Sequence, residues 1–203
     1  MSKQNSAATE MNDTDMGSLL MNQIRETRLL DSRTIFMSEA VTSRTAKKIV
    51  TDLLTLDASG EDPIYLYINS PGGEVNSGFA IYDTMRFIQP KVTVINTGLC
   101  ASIATIINIA VPKERRFSMK NAKFLIHQPL ISGQVYGQAS DIEITATQIL
   151  KTREKINKLL AEACGQEIKK VEEDTTRDYW MSAQEAQDYG LIGSIIDHKK
   201  EIL

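Results

Sequence analysis

Two glycine-bearing segments, one serine and one histidine hold most of the chemistry open to this sequence. Ser70-Pro-Gly-Gly73 follows the alternating run Ile64-Tyr-Leu-Tyr-Ile68. Paired glycines there can take positive φ and present bare backbone N–H groups at the start of a helix. Such a turn either holds an oxyanion or simply reverses the chain. Gly98-Leu-Cys-Ala-Ser102 occupies the same place after the next β-branched run, Val92-Thr-Val-Ile-Asn96. Ser102 then falls in the first turn of an apolar helix, where the helix dipole favours developing negative charge. A serine at that position is a nucleophile or a helix cap. Serine chemistry needs an imidazole to take the hydroxyl proton, and the chain has 2 His. His198 lies in the charged run Asp197-His-Lys-Lys-Glu201, whereas His127 follows Phe124-Leu-Ile126 and precedes Gln128-Pro129. A strand end is where sites are built, so His127 is the candidate base, with a satisfied core histidine as the alternative. Spacing cannot choose a third, acidic member from 26 Asp and Glu.

Other chemistries are excluded by what is missing. There is no G-x-x-x-x-G-K-[ST], so the chain has no phosphate loop of its own. H-E-x-x-H and the dinucleotide-binding glycine pattern are absent as well, and 2 His cannot build a His-rich metal site. No cofactor and no metal are therefore expected. Cys100 reads as a small buried hydrophobe rather than a thiol nucleophile, because Ser102 is better placed to face the glycine turn. Cys164 closes a long helix. The two make neither a disulfide framework nor a zinc ligand set, which suits a reducing compartment. A net charge of −3 argues against a nucleic-acid-coating surface.

These residues need elements to hold them. At 203 residues with 42% hydrophobic composition the chain is one globular domain, not a disordered one. Residues 1–17 are polar and aperiodic, a flexible leader or propeptide ahead of a single domain over 18–203. Residues 18–27 carry scattered apolar positions that fit no period. A short strand is expected at 34–37. Ser43 is expected to cap a helix with Ile49, Val50, Leu53, Leu54 and Leu56 inside. Strands follow at 64–69, 92–96 and 124–126, with Phe117 in another. Helices run from the Ser-Pro-Gly-Gly turn to about Phe87 and from about Ala101. This alternation gives an α/β class with a mostly parallel sheet. The uncharged stretch 92–112 is broken by polar residues and reads as strand, turn and helix rather than a membrane span. The N-terminus lacks a signal-type apolar core, so a soluble, cytoplasmic protein is expected. Ser182-Ala-Gln-Glu185 is a capping box. Residues 138–163 contain no Gly or Pro. As one helix they would run ~39 Å, with Ile142, Ile149 and Ile156 on one stripe. That helix either bends back over the sheet or forms an oligomerisation arm.

The sequence resembles the proteolytic subunit of the Clp protease, ClpP. The resemblance rests on Tyr65-Leu-Tyr-Ile-Asn-Ser-Pro-Gly-Gly73, Ile81-Tyr-Asp-Thr-Met85, Ala101-Ser102, Ile126-His-Gln-Pro-Leu130, Gly137-Gln-Ala139, Asp141-Ile-Glu-Ile144 and Arg177-Asp178 before Ser182-Ala183. It implies a ClpP/crotonase-like βαβ spiral head with a long protruding handle helix, here about 138–163. It also implies a serine endopeptidase whose triad is Ser102, His127 and Asp178, with Asp178 selected by the motif match alone. The backbone N–H groups of Gly73 and Ile103 map to the family's oxyanion donors. Heptameric rings stacked in pairs through the handles, unfolded polypeptides as substrates, and a Clp-type AAA+ unfoldase that binds the ATP are implied in the same way. Tyr67, Phe87 and Phe117 match aromatic positions where unfoldase loops dock, with ordinary core packing as the alternative.

Three departures stand against the family pattern. The nucleophile's surroundings read Cys100-Ala-Ser-Ile-Ala-Thr105, residues 131–136 replace the usual Gly-Gly, and the common N-terminal entry sequence is absent. They suggest a divergent paralogue, with a catalytically weak subunit in mixed rings beside a second ClpP as the alternative role. A crotonase-like acyl-thioester enzyme shares the spiral and the paired donors, but its chemistry usually relies on carboxylates rather than Ser with His.

Overall fold

The computed structural model describes residues 13–130 and 137–202. Most of the leader and the replacement at 131–136 lie outside these residues. Seven strands form one sheet. They are β1 (Thr34–Met37), β2 (Ile64–Ser70), β3 (Val92–Ala101), β4 (Arg116–Met119), β5 (Lys123–Ile126), β6 (Tyr179–Ser182) and β7 (Ser194–Ile196). The order β1-β2-β3-β4-β7 is parallel throughout, while β5 pairs in parallel with the far end of β3 and antiparallel with β6. The helices are α1 (Asp13–Asp31), α2 (Ser43–Ala58), α3 (Val75–Phe87), α4 (Ile103–Asn108), α5 (Ala139–Cys164), α6 (Ile168–Asp174) and α7 (Ala183–Tyr189).

Period-2 alternation decides which face each strand residue takes. Ile35, Leu66 and Val94 stand in register and are all buried, in a core shared with Ile49 and Leu53 of α2 and Ile81 and Met85 of α3. Phe36, Tyr67, Ile95 and Phe117 form the next register row, on the opposite face.

Five sequence expectations shift, the smallest at Leu54, which is expected on the inner face of α2 and is exposed. α2 is capped by Thr42, whose side chain accepts from the Thr45 N–H at 3.2 Å, so Ser43 is already helical. α1 takes in residues 18–27 and begins inside the expected leader. Its Leu19, Leu20 and Met21 are exposed, which is why no inward period was readable. The largest shift concerns β3, which does not stop at Gly98. Between the pairs Ile68–Asn96 and Ser70–Cys100 it carries two more residues than β2, an irregularity that lets the strand bend and continue. Asn69 Oδ1 accepts the Leu99 N–H at 3.0 Å across this gap, and a Cβ on Gly98 would stand 2.6 Å from that oxygen. The glycine therefore admits a bridging side chain inside a strand instead of ending it. Beyond it β3 leaves β4 and joins β5. As a result α4 starts at Ile103 and is only six residues long.

The long helix is 26 residues, stopped by Gly165 in the left-handed region. It does not bend back over the sheet. Its first buried residue is Ile156, whereas Ile142, Ile144 and Leu150 are exposed. The capping box at Ser182 and Glu185 forms as expected.

Candidate active site

Ser102 sits where β3 hands over to α4. The Ser102 N–H donates to Leu125 O at 2.8 Å, tying it to β5. Its φ of 56° and ψ of −128° lie in a region that L-residues rarely adopt, and Arg33 is the other non-glycine at positive φ among the described residues. Such a backbone costs on the order of 1–3 kcal/mol and persists only where its surroundings over-determine it.

Those surroundings are the turn at 70–73. The Ser70 hydroxyl donates to Glu39 O at 2.6 Å and accepts the Gly72 N–H at 3.1 Å. Val41 N–H donates to Gly72 O at 2.8 Å, and Glu74 N–H to Val41 O at 2.7 Å. Gly72 has φ +84°, and a Cβ there would lie 2.5 Å from Ala101 O and 2.7 Å from Ser102 Cβ. A Cβ on Gly73 would overlap Val41 O. Both glycines are therefore required by close backbone approach as well as by φ. With the rest of the turn paired, the N–H groups of Gly73 and Ile103 have no acceptor among the described residues. The turn closes on the Ser102 junction, where a Gly72 Cβ would stand 2.7 Å from Ser102 Cβ and 3.1 Å from Ile103 N.

The sheet delivers the partners. His127 follows the last residue of β5 and Asp178 precedes the first of β6, directly beyond the antiparallel pair Ile126–Tyr179. Ser102 Oγ lies 2.8 Å from His127 Nε2, and His127 Nδ1 lies 2.9 Å from Asp178 Oδ1. An ionised carboxylate only accepts, so Nδ1 carries the ring proton and Nε2 accepts from the serine hydroxyl. The three residues selected from the sequence thus meet in one hydrogen-bonded line. The His127 side chain is 17% exposed and that of Asp178 is 62% exposed. Beside Ser102 lies a cavity of about 20 Å³ walled by Val75, Ile106, Ile126, Pro129 and Leu160. Such an arrangement can move a proton from a hydroxyl to an imidazole.

Cys100 is fully buried and burial pushes its thiol well above the ordinary range, which suits a packing role. Burial also raises Cys164, to about 11, against the opposing pull of Arg116. Among the described residues no group of three or more His, Cys, Asp and Glu could hold a metal ion. None of the described helices is long and apolar enough to cross a membrane.

The three aromatic candidates are not gathered together. Tyr67 lines a cavity of about 540 Å³ with Ile95, Met119, Ile196 and Ile202, and Phe117 stands half-buried in the same register row. Phe87 ends α3, is 79% exposed, and lies outside that cavity. Sequence reasoning missed Asn69. Its signal was a polar residue closing a β-branched and aromatic run just before the turn, where a side-chain amide can stand in for a backbone group.

A protein-family model described as Clp protease matches residues 20–199. A relative from Rhizobium etli, named ATP-dependent Clp protease proteolytic subunit 3, is 44% identical over 193 residues, covering 95% of this chain and 98% of the relative. Its namesake from Rhizobium meliloti is 45% identical over 177 residues, 87% of this chain and 90% of that one. Among solved structures, a ClpP1 mutant from Listeria monocytogenes matches with a TM-score of 0.81 and 39% identity, over 88% of this chain and 99% of that chain.

Proposed function

The chain belongs to the Clp protease family, and on that premise we propose that it is a serine endopeptidase subunit working through Ser102, His127 and Asp178. The observation that carries this reading is the line of contacts at 2.8 Å and 2.9 Å from Ser102 Oγ through the imidazole to Asp178. Ser102 Oγ attacks the peptide carbonyl as His127 Nε2 takes its proton, and the carbonyl oxygen becomes an oxyanion held by the N–H groups of Gly73 and Ile103. His127 then gives the proton to the leaving amine. A water, deprotonated in turn by His127, releases the acyl group and restores the hydroxyl. Asp178 holds the ring tautomer and stabilises the imidazolium.

Exposure of Ile142, Ile144 and Leu150 on the free half of α5 supports a handle that is covered by other subunits, in heptameric rings stacked in pairs. The rings enclose the sites, so the substrates are unfolded polypeptides. A Clp-type AAA+ unfoldase feeds them and binds the ATP; this chain uses no cofactor or metal of its own. Tyr67 and Phe117 on the sheet, and Phe87 apart from them at the end of α3, are the docking residues for that partner, and the assembly works in the cytoplasm. The relatives' designation as subunit 3 favours a second reading, a subunit that serves in mixed rings with another ClpP.

Labelling with a fluorophosphonate followed by mass mapping tests both. The triad reading expects the label on Ser102 in the purified protein and its loss in His127→Ala. Labelling only after mixing with a second ClpP would support the mixed-ring role, and a Ser102→Ala variant that keeps full peptidase activity would overturn the assignment.

A further inference from the structure

The β5–β6 ladder ends at Ile126 and Tyr179, so His127 and Asp178 lie one residue beyond the last paired position. Strand ends fray, and the Asp178 side chain is 62% exposed while it holds His127 Nδ1 at 2.9 Å. Something must rejoin the two chains past the gap, and Gln128 does so twice. Its backbone N–H donates to Thr175 O at 2.7 Å, and its side-chain Nε2 donates to Thr176 O at 2.9 Å. The segment it grips is itself fixed from below: the Thr175 hydroxyl is fully buried, 3.0 Å from Asn157 Oδ1 of α5. Arg153, also on α5, reaches Gln128 Oε1 at 3.5 Å. His127 and Asp178 therefore sit in a closed window, with the strand ladder on one side and the Gln128 clamp on the other.

We propose that the Gln128 side chain is a positioning residue for the hydrolysis described above, closing this window so that Asp178 stays within hydrogen-bond reach of His127. It touches neither the substrate nor the reacting atoms. The inference rests on the Ser102–His127–Asp178 reading. Its chemistry is specific: one amide donor to one carbonyl, with an acceptor left for Arg153. A displacement of about 1 Å at the imidazole is enough to slow the chemistry by up to about 10²-fold.

The test compares Gln128→Ala and Gln128→Glu in the full-length assembled protein, using hydrolysis of a short fluorogenic peptide. Gln128→Glu keeps the side-chain length but turns the donor into an acceptor facing a carbonyl, and it decides the matter if the alanine variant does not fold. Both are expected to lower kcat by about 10- to 100-fold with KM within about two-fold, at unchanged ring mass. In an Asp178→Asn background either change should add less than about two-fold, because the interaction it protects is already gone. The inference is overturned if either folded variant keeps the parental kcat, if the loss falls in KM, or if it multiplies in full with Asp178→Asn. An inactive Ser102→Ala beside fully active Gln128 variants would sink this inference alone, whereas an active Ser102→Ala would sink the triad reading beneath it.

Discussion

The nucleophile and the acid of this site are held in opposite ways. Ser102 stands at a junction of three backbone segments: the bent end of β3, the turn at 70–73, and β5 through the Leu125 carbonyl. Its neighbours Cys100, Ala101 and Ile103 are buried. Asp178 stands in the open at the mouth of a strand pair and is placed by its backbone and a side-chain clamp. A serine that must keep a strained φ needs enclosure, since only packing over-determines such a backbone. Asp178 has no positive φ to maintain and stands without such enclosure. The contrast teaches that a change on the serine side should alter stability as well as activity, while one on the acid side should alter activity alone.

That contrast can be broken by experiment. The largest effect is expected for Asp178→Asn, which keeps the shape but loses the tautomer control. Peptide hydrolysis should fall by on the order of 10³- to 10⁴-fold with the thermal midpoint unmoved, and a large drop in midpoint would show that the acid side is structural too. Next comes Gly72→Ala, where a Cβ would lie 2.5 Å from the Ala101 carbonyl oxygen at a φ that alanine resists. A loss of about 3 kcal/mol in denaturant unfolding, with activity, is expected. Asn69→Ala removes the amide that accepts from Leu99, and should cost about 1–2 kcal/mol with a smaller fall in kcat. The smallest effect has the opposite sign: Ser102→Gly relieves the positive φ, so the inactive variant should be about 1 kcal/mol more stable than the parent. An unchanged or lower midpoint would remove the claim of strain.

How far the sequence revealed this depended on the kind of constraint. Alternation in Ile64–Ser70 and the Gly-Gly pair declared a strand and a tight turn, and the heptad-spaced isoleucines declared a helix longer than its head. Those are local patterns. Gly98 misled because a glycine that admits a side chain from another strand has the same local signature as one that ends a strand, and the answer lay in Asn69, 30 residues before the Leu99 N–H it accepts. Asp178 came only from a motif match, since contact between residues 51 positions apart leaves no periodic trace. α1 was unreadable for another reason: it buries too little to impose a period.

The strained backbone at Ser102 has a consequence for how such a chain drifts over time. A copy whose chemistry no longer mattered would gain stability by losing its side chain at position 102, because glycine accepts φ 56° without penalty. Relaxed selection and thermodynamics would push in the same direction. A sequence that still carries serine at this position stands uphill of its nearest stable neighbour, where only a need for the hydroxyl would keep it.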